Sequence, residues 1–340
     1  MAKKSRIQIR HKDYIEYMMM LLAPIVVSWY YYGADALRLI FTGIISAVLF
    51  EAIALFFMKR NLLELLDMHA VFTGTAIAMM LPANANIALV IAGTAFAIFA
   101  VKVPFGSATK APFVPAAAAM AFLTVCFPKE VYNFPIGDAA QTAAQSTSSL
   151  AAMLNAGGSY HLNALRVTSI ISGNIAGPIG TCCAAALVGV CAFFLVFKPQ
   201  KLANVAGFVL ACAFFAILFP RGSFDRWTSL LTELCAGSLL FGAVFFSTDP
   251  AVSPEHSSLR FLYGALGGTI CMLLRYFGAY EDPTCFAILL STVFWPIAMS
   301  ILRKTHALDF YEKHFLKKEK AQKNSLKLKK KDKTAKEGEQ

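Results

Sequence analysis

Apolar residues run through this chain in long stretches, each interrupted by Gly, Pro, Asn or a charge. The runs predict ten candidate helices, near residues 15–32, 36–58, 68–82, 86–102, 113–128, 174–197, 202–219, 228–247, 259–277 and 284–302. A spanning helix takes about 20 mostly apolar residues. The expected fold is therefore all-α: a polytopic membrane protein with about ten transmembrane helices and one long extracytoplasmic loop.

Composition agrees with the pattern. Of the 340 residues, 57% are hydrophobic and only 15% charged, and the mean hydropathy is +0.59. These values argue against two or three soluble domains and exclude a disordered chain, collagen and a secreted disulfide scaffold.

Charge then orients the spans. Lys and Arg number 31 against 20 Asp and Glu, and thirteen of the basic residues follow Leu302. Three segments result: a basic cytoplasmic N-terminus over 1–14, a transmembrane domain over 15–302, and a basic cytoplasmic tail over 303–340, too polar to bury a core. The N-terminal segment carries Lys3, Lys4, Arg6, Arg10 and Lys12 and no cleavage pattern, so it reads as a retained cytoplasmic end. Ten spans return the C-terminus to the same side. With that topology 25 basic residues lie inside and 6 outside, as the positive-inside rule requires. The tail can also touch anionic lipid headgroups; without interleaved aromatics, it does not suggest nucleic-acid binding.

The connection over 129–173 is far longer than most helix connections. It falls outside in this topology and is rich in small and hydroxyl residues, from Gly137 to Leu150. Gly-rich, Pro-interrupted stretches recur in both halves, which leaves a weak inverted repeat open.

Chemistry-bearing residues are sparse. Cys126, Cys182, Cys183, Cys191, Cys212, Cys235, Cys271 and Cys285 lie in or at the ends of apolar runs without a CxxC pair, and the six His are scattered. No metal is assigned, and no catalytic residue. Gly173-Asn174-Ile175-Ala176-Gly177-Pro178-Ile179-Gly180 has glycines at close spacing but no preceding strand, so close helix packing explains it better than a dinucleotide fingerprint. Glu51 and Glu233 sit inside apolar runs, where an acid marks a polar pathway or an interhelical hydrogen bond. Asp249 precedes Pro250 at a span end, where its carboxylate can cap a turn.

Several segments together resemble the D subunit of the Rnf electron-transport complex, which is related to the B subunit of the sodium-pumping NADH:quinone reductase. They are Asp67 with Thr73-Gly74-Thr75-Ala76 and Leu81-Pro82; Gly93 to Ile98; Phe105-Gly106 followed by Pro112-Phe113-Val114-Pro115-Ala116; Gly173-Asn174 with Gly177 and Gly180; and Thr248-Asp249-Pro250 with Ser253-Pro254, Gly264-Ala265, Arg275, Gly278 and Tyr280. The likeness covers roughly 15–302. It implies a bacterial or archaeal cytoplasmic-membrane subunit, inactive alone, that passes electrons through flavin while ferredoxin and nicotinamide chemistry drive sodium or proton movement. Partners implied are the other membrane and iron–sulfur subunits, the bilayer and a flavin-attaching enzyme.

In that family FMN is joined through its phosphate to a Thr hydroxyl of the large extracytoplasmic loop, within Asp-x-x-Ser/Thr-Gly-Ala-Thr-Pro-Leu. This chain departs from that motif: after Asp138 it reads Thr142-Ala143-Ala144-Gln145-Ser146-Thr147-Ser148-Ser149-Leu150. Alignment on Leu150-Ala151-Ala152 favours Ser148, with Thr147 one residue before; alignment on Asp138 favours Thr142. Thr147 and Ser148 rank level, ahead of Thr142, and a loop without covalent flavin stays open. Further departures are Ser107-Ala108-Thr109-Lys110, Val114-Pro115-Ala116 and Thr181. Gly173, Asn174 and Gly177 can allow close approach to a flavin or a helix, and Asp249 can lie near a second, noncovalent flavin or a cation. A secondary transporter and a flavin-free scaffold are the alternative functions.

Overall fold

A computed structural model describes residues 2–60, 68–105, 111–135, 146–147, 149–155, 176–181, 184–221, 226–254, 256–278 and 280–304. The helices are α1 (Ala2–Phe57), α2 (His69–Met79), α3 (Ile87–Ala95), α4 (Val103–Phe105), α5 (Pro115–Cys126), α6 (Pro128–Val131), α7 (Leu150–Asn155), α8 (Ala184–Phe197), α9 (Pro199–Leu218), α10 (Arg226–Cys235), α11 (Leu239–Phe241), α12 (Ser257–Phe277) and α13 (Thr284–Lys304). Two π-helical turns, Phe96–Lys102 and Gly242–Phe246, continue α3 and α11. Strands β1 (Phe134–Pro135) and β2 (Ser146–Thr147) pair antiparallel, Phe134 opposite Thr147. The described residues up to Thr292 form one compact unit, and those from Val293 to Lys304 belong to a second.

Every apolar run contains a helix. Tyr14–Phe57, Ile87–Phe105, Pro199–Leu218, Ser257–Phe277 and Thr284–Leu302 are long and apolar enough to cross a membrane, and Ser229–Cys235 with Leu239–Phe246 makes a sixth span bent by 65°. His69–Met79, Pro115–Cys126 and Ala184–Leu195 are shorter apolar helices. Large apolar side chains such as Trp29, Phe41, Phe56, Leu195, Phe214 and Phe277 face outward. Such a surface suits lipid rather than water.

The 44 residues of Tyr14–Phe57 would measure about 66 Å as one rod, twice the hydrocarbon thickness. They make two passes instead. Tyr14 packs edge-on against His69, ring centroids 5.0 Å apart, and Ser28 Oγ lies 2.8 Å from the Ile179 carbonyl, whose own N–H bonds Leu81. This half therefore runs alongside α2 in the same direction. Beyond the kink, Gly43 lies against Ala78 while Ala47 lies against Gly74, so the second half runs the opposite way. The reversal occurs at Gly33, whose φ of 58° and ψ of −135° suit a residue without Cβ.

Two predicted spans are interrupted. The run over 68–82 is helical only to Met79, and the run over 228–247 breaks at 236–238. A third begins late: of the run over 174–197, helix occupies Ala184–Phe197, while 176–181 is turn and irregular backbone. Each exception lies beside a polar cleft. The tail beyond Lys304 and most of the 129–173 connection lie outside the described residues.

Candidate functional site

Two places in the first unit gather polar side chains within the apolar bundle. The first lies where the interrupted spans meet. Just past the end of α2, the carbonyls of Met79 and Leu81 accept N–H groups from Gly180 at 2.7 Å and Ile179 at 3.1 Å. Helix C-termini leave such carbonyls without intrahelical partners. The 176–181 segment thus completes α2 from outside, and a Cβ on Gly180 would sit 2.6 Å from Met79 Cβ.

The break after α10 is held by charge. Arg275, 2% exposed, donates to the Glu233 carbonyl at 2.7 Å and the Ala236 carbonyl at 2.9 Å. Its guanidinium also lies 3.4 Å from the Glu233 carboxylate, which Arg221 approaches at 3.3 Å. On the other side of the break Asp282 accepts from the Ser238 N–H at 2.6 Å. A cation thus faces a helix C-terminus and an anion a helix N-terminus, the arrangement the backbone dipoles favour.

Met80, Tyr132, Ser149, Gly177, Gly237 and Asp282 line the cleft between these ends, which encloses about 30 Å³, room for a water or two. Ser149 Oγ donates to Glu281 at 3.0 Å and accepts from the Ala152 N–H. Burial and the neighbouring Asp282 push the Glu281 carboxyl above its usual value, opposed by the Ser149 hydrogen bond. Burial, then the Asp282 charge, also push the Tyr132 phenol up.

A raised carboxyl favours the folded state while protonated, and that contribution is lost as pH rises through the folded value. Glu281→Gln is therefore expected to melt higher than the native chain at pH 8 and the same at pH 4. Thermal unfolding in detergent at the two pH values checks this, and an equal gap at both would remove Glu281 as its source.

The second polar place lies at the opposite end of the unit. Asp249, 1% exposed, accepts from the Ala251 N–H at 2.8 Å and from the Tyr14 hydroxyl at 3.5 Å, so its carboxylate does cap a turn. Tyr17 reaches the Thr248 carbonyl at 2.6 Å and receives Lys201 Nζ at 2.8 Å. Asn204 donates to the Ser247 carbonyl. Elsewhere in the bundle, Glu51 pairs with Lys102 at the end of the first π-helical turn.

Of the candidates from sequence, Thr147 belongs to β2, whose pairing with β1 sets it opposite Phe134 and two residues before Ser149. Gly177 lines the same cleft. Thr142, Ser148, Gly173 and Asn174 lie outside the described residues. Asp249 belongs to the other polar place. Glu51 and Glu233 are both ion-paired inside the bundle.

A family model described as the NQR2, RnfD, RnfE family matches residues 5–307. The chain belongs to this family. Its relatives include the D subunit of the Na(+)-translocating ferredoxin:NAD(+) oxidoreductase complex of Acetobacterium woodii, 30% identical over 82% of this chain and 84% of that protein. The D subunit of the ion-translocating oxidoreductase complex of Cronobacter sakazakii is 28% identical over 80% of this chain and 87% of the relative. The same-named protein of Shewanella amazonensis is 27% identical over 81% of this chain and 87% of its own length.

Within this NQR2, RnfD, RnfE member, sequence reasoning missed Ser149, Glu281, Asp282 and Tyr132. A signal existed for one of them: Asp282-Pro283-Thr284 places an acid just before a Pro at a helix start, and Asp282 indeed accepts from Thr284 N–H and Oγ1.

Proposed function

We propose that the chain is the flavin-carrying membrane subunit of an Rnf-type ion-translocating ferredoxin:NAD oxidoreductase complex, passing electrons across the membrane coupled to sodium or proton transport. Family membership supports the complex. The observation that supports a flavin in this chain is the β1–β2 pair. It sets the Thr147 backbone opposite Phe134, which with Ser149 lines a cleft at two helix ends and their charged caps. Discontinuous helices recur where membrane proteins bind polar ligands.

The cleft is small beside the cofactor. At about 30 Å³ it falls far below the roughly 300–1,000 Å³ of small-molecule sites, so it does not enclose an isoalloxazine ring. Covalent attachment to a loop hydroxyl needs no enclosed pocket, and the residues fit that mode: Thr147 in β2, Ser148 next to it, or Thr142. FMN held there supplies reversible one- and two-electron transfer. Gly177 lines the cleft without a side chain to fill it.

The complex sits in the cytoplasmic membrane with both termini in the cytoplasm and the Asp282 end outside, a topology supported by the 25 to 6 division of basic residues. Its partners are the other membrane and iron–sulfur subunits and a flavin-attaching enzyme.

Coexpression with a flavin-attaching enzyme tests the reading. In-gel flavin fluorescence after denaturation, with intact-protein mass, is expected for the native chain and lost in one of Thr147→Ala, Ser148→Ala or Thr142→Ala. A colourless native chain of unmodified mass would sink covalent attachment and favour a scaffold or transporter.

A further inference from the structure

We propose that the cleft between the start of α9 and residues Thr248, Pro250, Ser253 and Arg260 binds the phosphate-bearing headgroup of an anionic phospholipid. It has a volume of about 440 Å³, within the range of small-ligand sites and distinct from the Asp282 cleft. Lys198, Lys201 and Arg260 line it together with the hydroxyl residues Thr248 and Ser253.

The basic groups are held in place by the fold. Lys201, 9% exposed, bonds the Tyr17 hydroxyl at 2.8 Å and lies 4.1 Å from that ring's centroid. Arg260 Nε donates to the Pro254 carbonyl at 2.6 Å, and Lys198 pairs with Glu16 at 2.5 Å. The nearby Asp249 carboxylate is buried and engaged by Ala251 and Tyr14. Three cations against the Glu16 and Asp249 carboxylates leave the described residues around the cleft with one positive charge in excess.

Backbone adds to that potential. Gly264 lies against Asn204 and Gly268 against Phe208, so α9 and α12 run parallel and both begin at this end. Lys198 and His256 occupy the two N-cap positions. Two helix N-termini beside three cations favour an anion with several acceptor oxygens.

The rim points to lipid rather than a dissolved phosphate ester. Phe197 lines the cleft yet is 64% exposed and stacks at 4.4 Å on Phe193, one turn earlier on the same face of α8. A headgroup in the cleft would place acyl chains along this apolar flank. Basic pockets between transmembrane helices hold anionic headgroups in this manner.

Native mass spectrometry of the full-length chain, with phosphatidylglycerol and phosphatidylcholine of matched acyl chains, tests the assignment. The native chain is expected to retain one phosphatidylglycerol in preference to phosphatidylcholine. Lys198→Gln with Arg260→Gln should weaken that retention about fivefold per lost charge, and Lys198→Arg with Arg260→Lys should keep it. If the double neutral variant unfolds, Lys198→Gln alone carries the comparison, because that side chain is 27% exposed. Equal retention of the two lipids, or no loss on neutralisation, overturns the proposal. Displacement of phosphatidylglycerol by millimolar inorganic phosphate would identify a soluble-anion site and overturn the lipid assignment.

Discussion

Gly74→Leu is expected to leave little or no folded chain in detergent. Gly43 and Gly74 bring α1 and α2 into backbone contact: a Cβ on Gly74 would fall on the Gly43 carbonyl and lie 2.9 Å from Ala47 Cβ. In a bilayer, helices gain little from hydrophobic exclusion, so close packing through small residues carries much of their association. Overpacking usually costs about 1–3 kcal/mol when side chains can yield. Here the obstructing atoms are backbone, and the cost falls at the upper end or beyond. Gly189→Leu is the control, because no atom of the described residues lies within 4 Å of a Cβ there and leucine is the better helix former. Size-exclusion profiles and thermal midpoints of the two variants decide the matter; a Gly74→Leu chain that melts with the native one would show that this contact does not hold the second half of α1 to α2.

Arg275→Met removes the cation that faces the end of α10, and a loss of about 3 kcal/mol is expected. The loss arises from leaving Glu233 buried with one cation fewer and two carbonyls without their donor. It sits at the low end of the usual range of about 3–5 kcal/mol because Arg221 still reaches Glu233. Adding Glu233→Gln should recover part of the loss by removing the stranded charge. Denaturant or thermal unfolding of native, single and double variants measures the coupling. A neutral Arg275→Met would mean that the break at 236–238 does not depend on this guanidinium, and that Arg275 has some role other than holding it.

Helix positions were legible because hydropathy alone reports whether a segment can enter hydrocarbon. Each apolar run contains a helix, from Tyr14 to Leu302. The site was less legible for reasons that differ by residue. Glu233 and Arg275 are both visible as charges in apolar runs, but they are 42 residues apart and only the packing of the tertiary fold makes them a pair. Ser149 and Glu281 are separated by 132 residues, and neither stands out from ordinary loop composition. The glycines near 177–180 suggested close packing, and Gly180 packs on Met79; that this segment completes a helix end depends on Met79 and Leu81 carbonyls that no local pattern reveals.

The sequence by itself determined the class of solvent, the places of the apolar helices and the family, since mean hydropathy, run length and motif order are properties of the chain read in one dimension. Tertiary structure alone decided that two spans stop short and that Arg275 and Asp282 cap opposite sides of one break; the turn at Gly33 falls in the gap that the hydropathy pattern already leaves between 15–32 and 36–58. The physical reason is that an orphaned carbonyl or a buried charge must find a partner wherever the fold brings one. Such partners come from distant segments, so their identity is fixed by packing and not by local sequence.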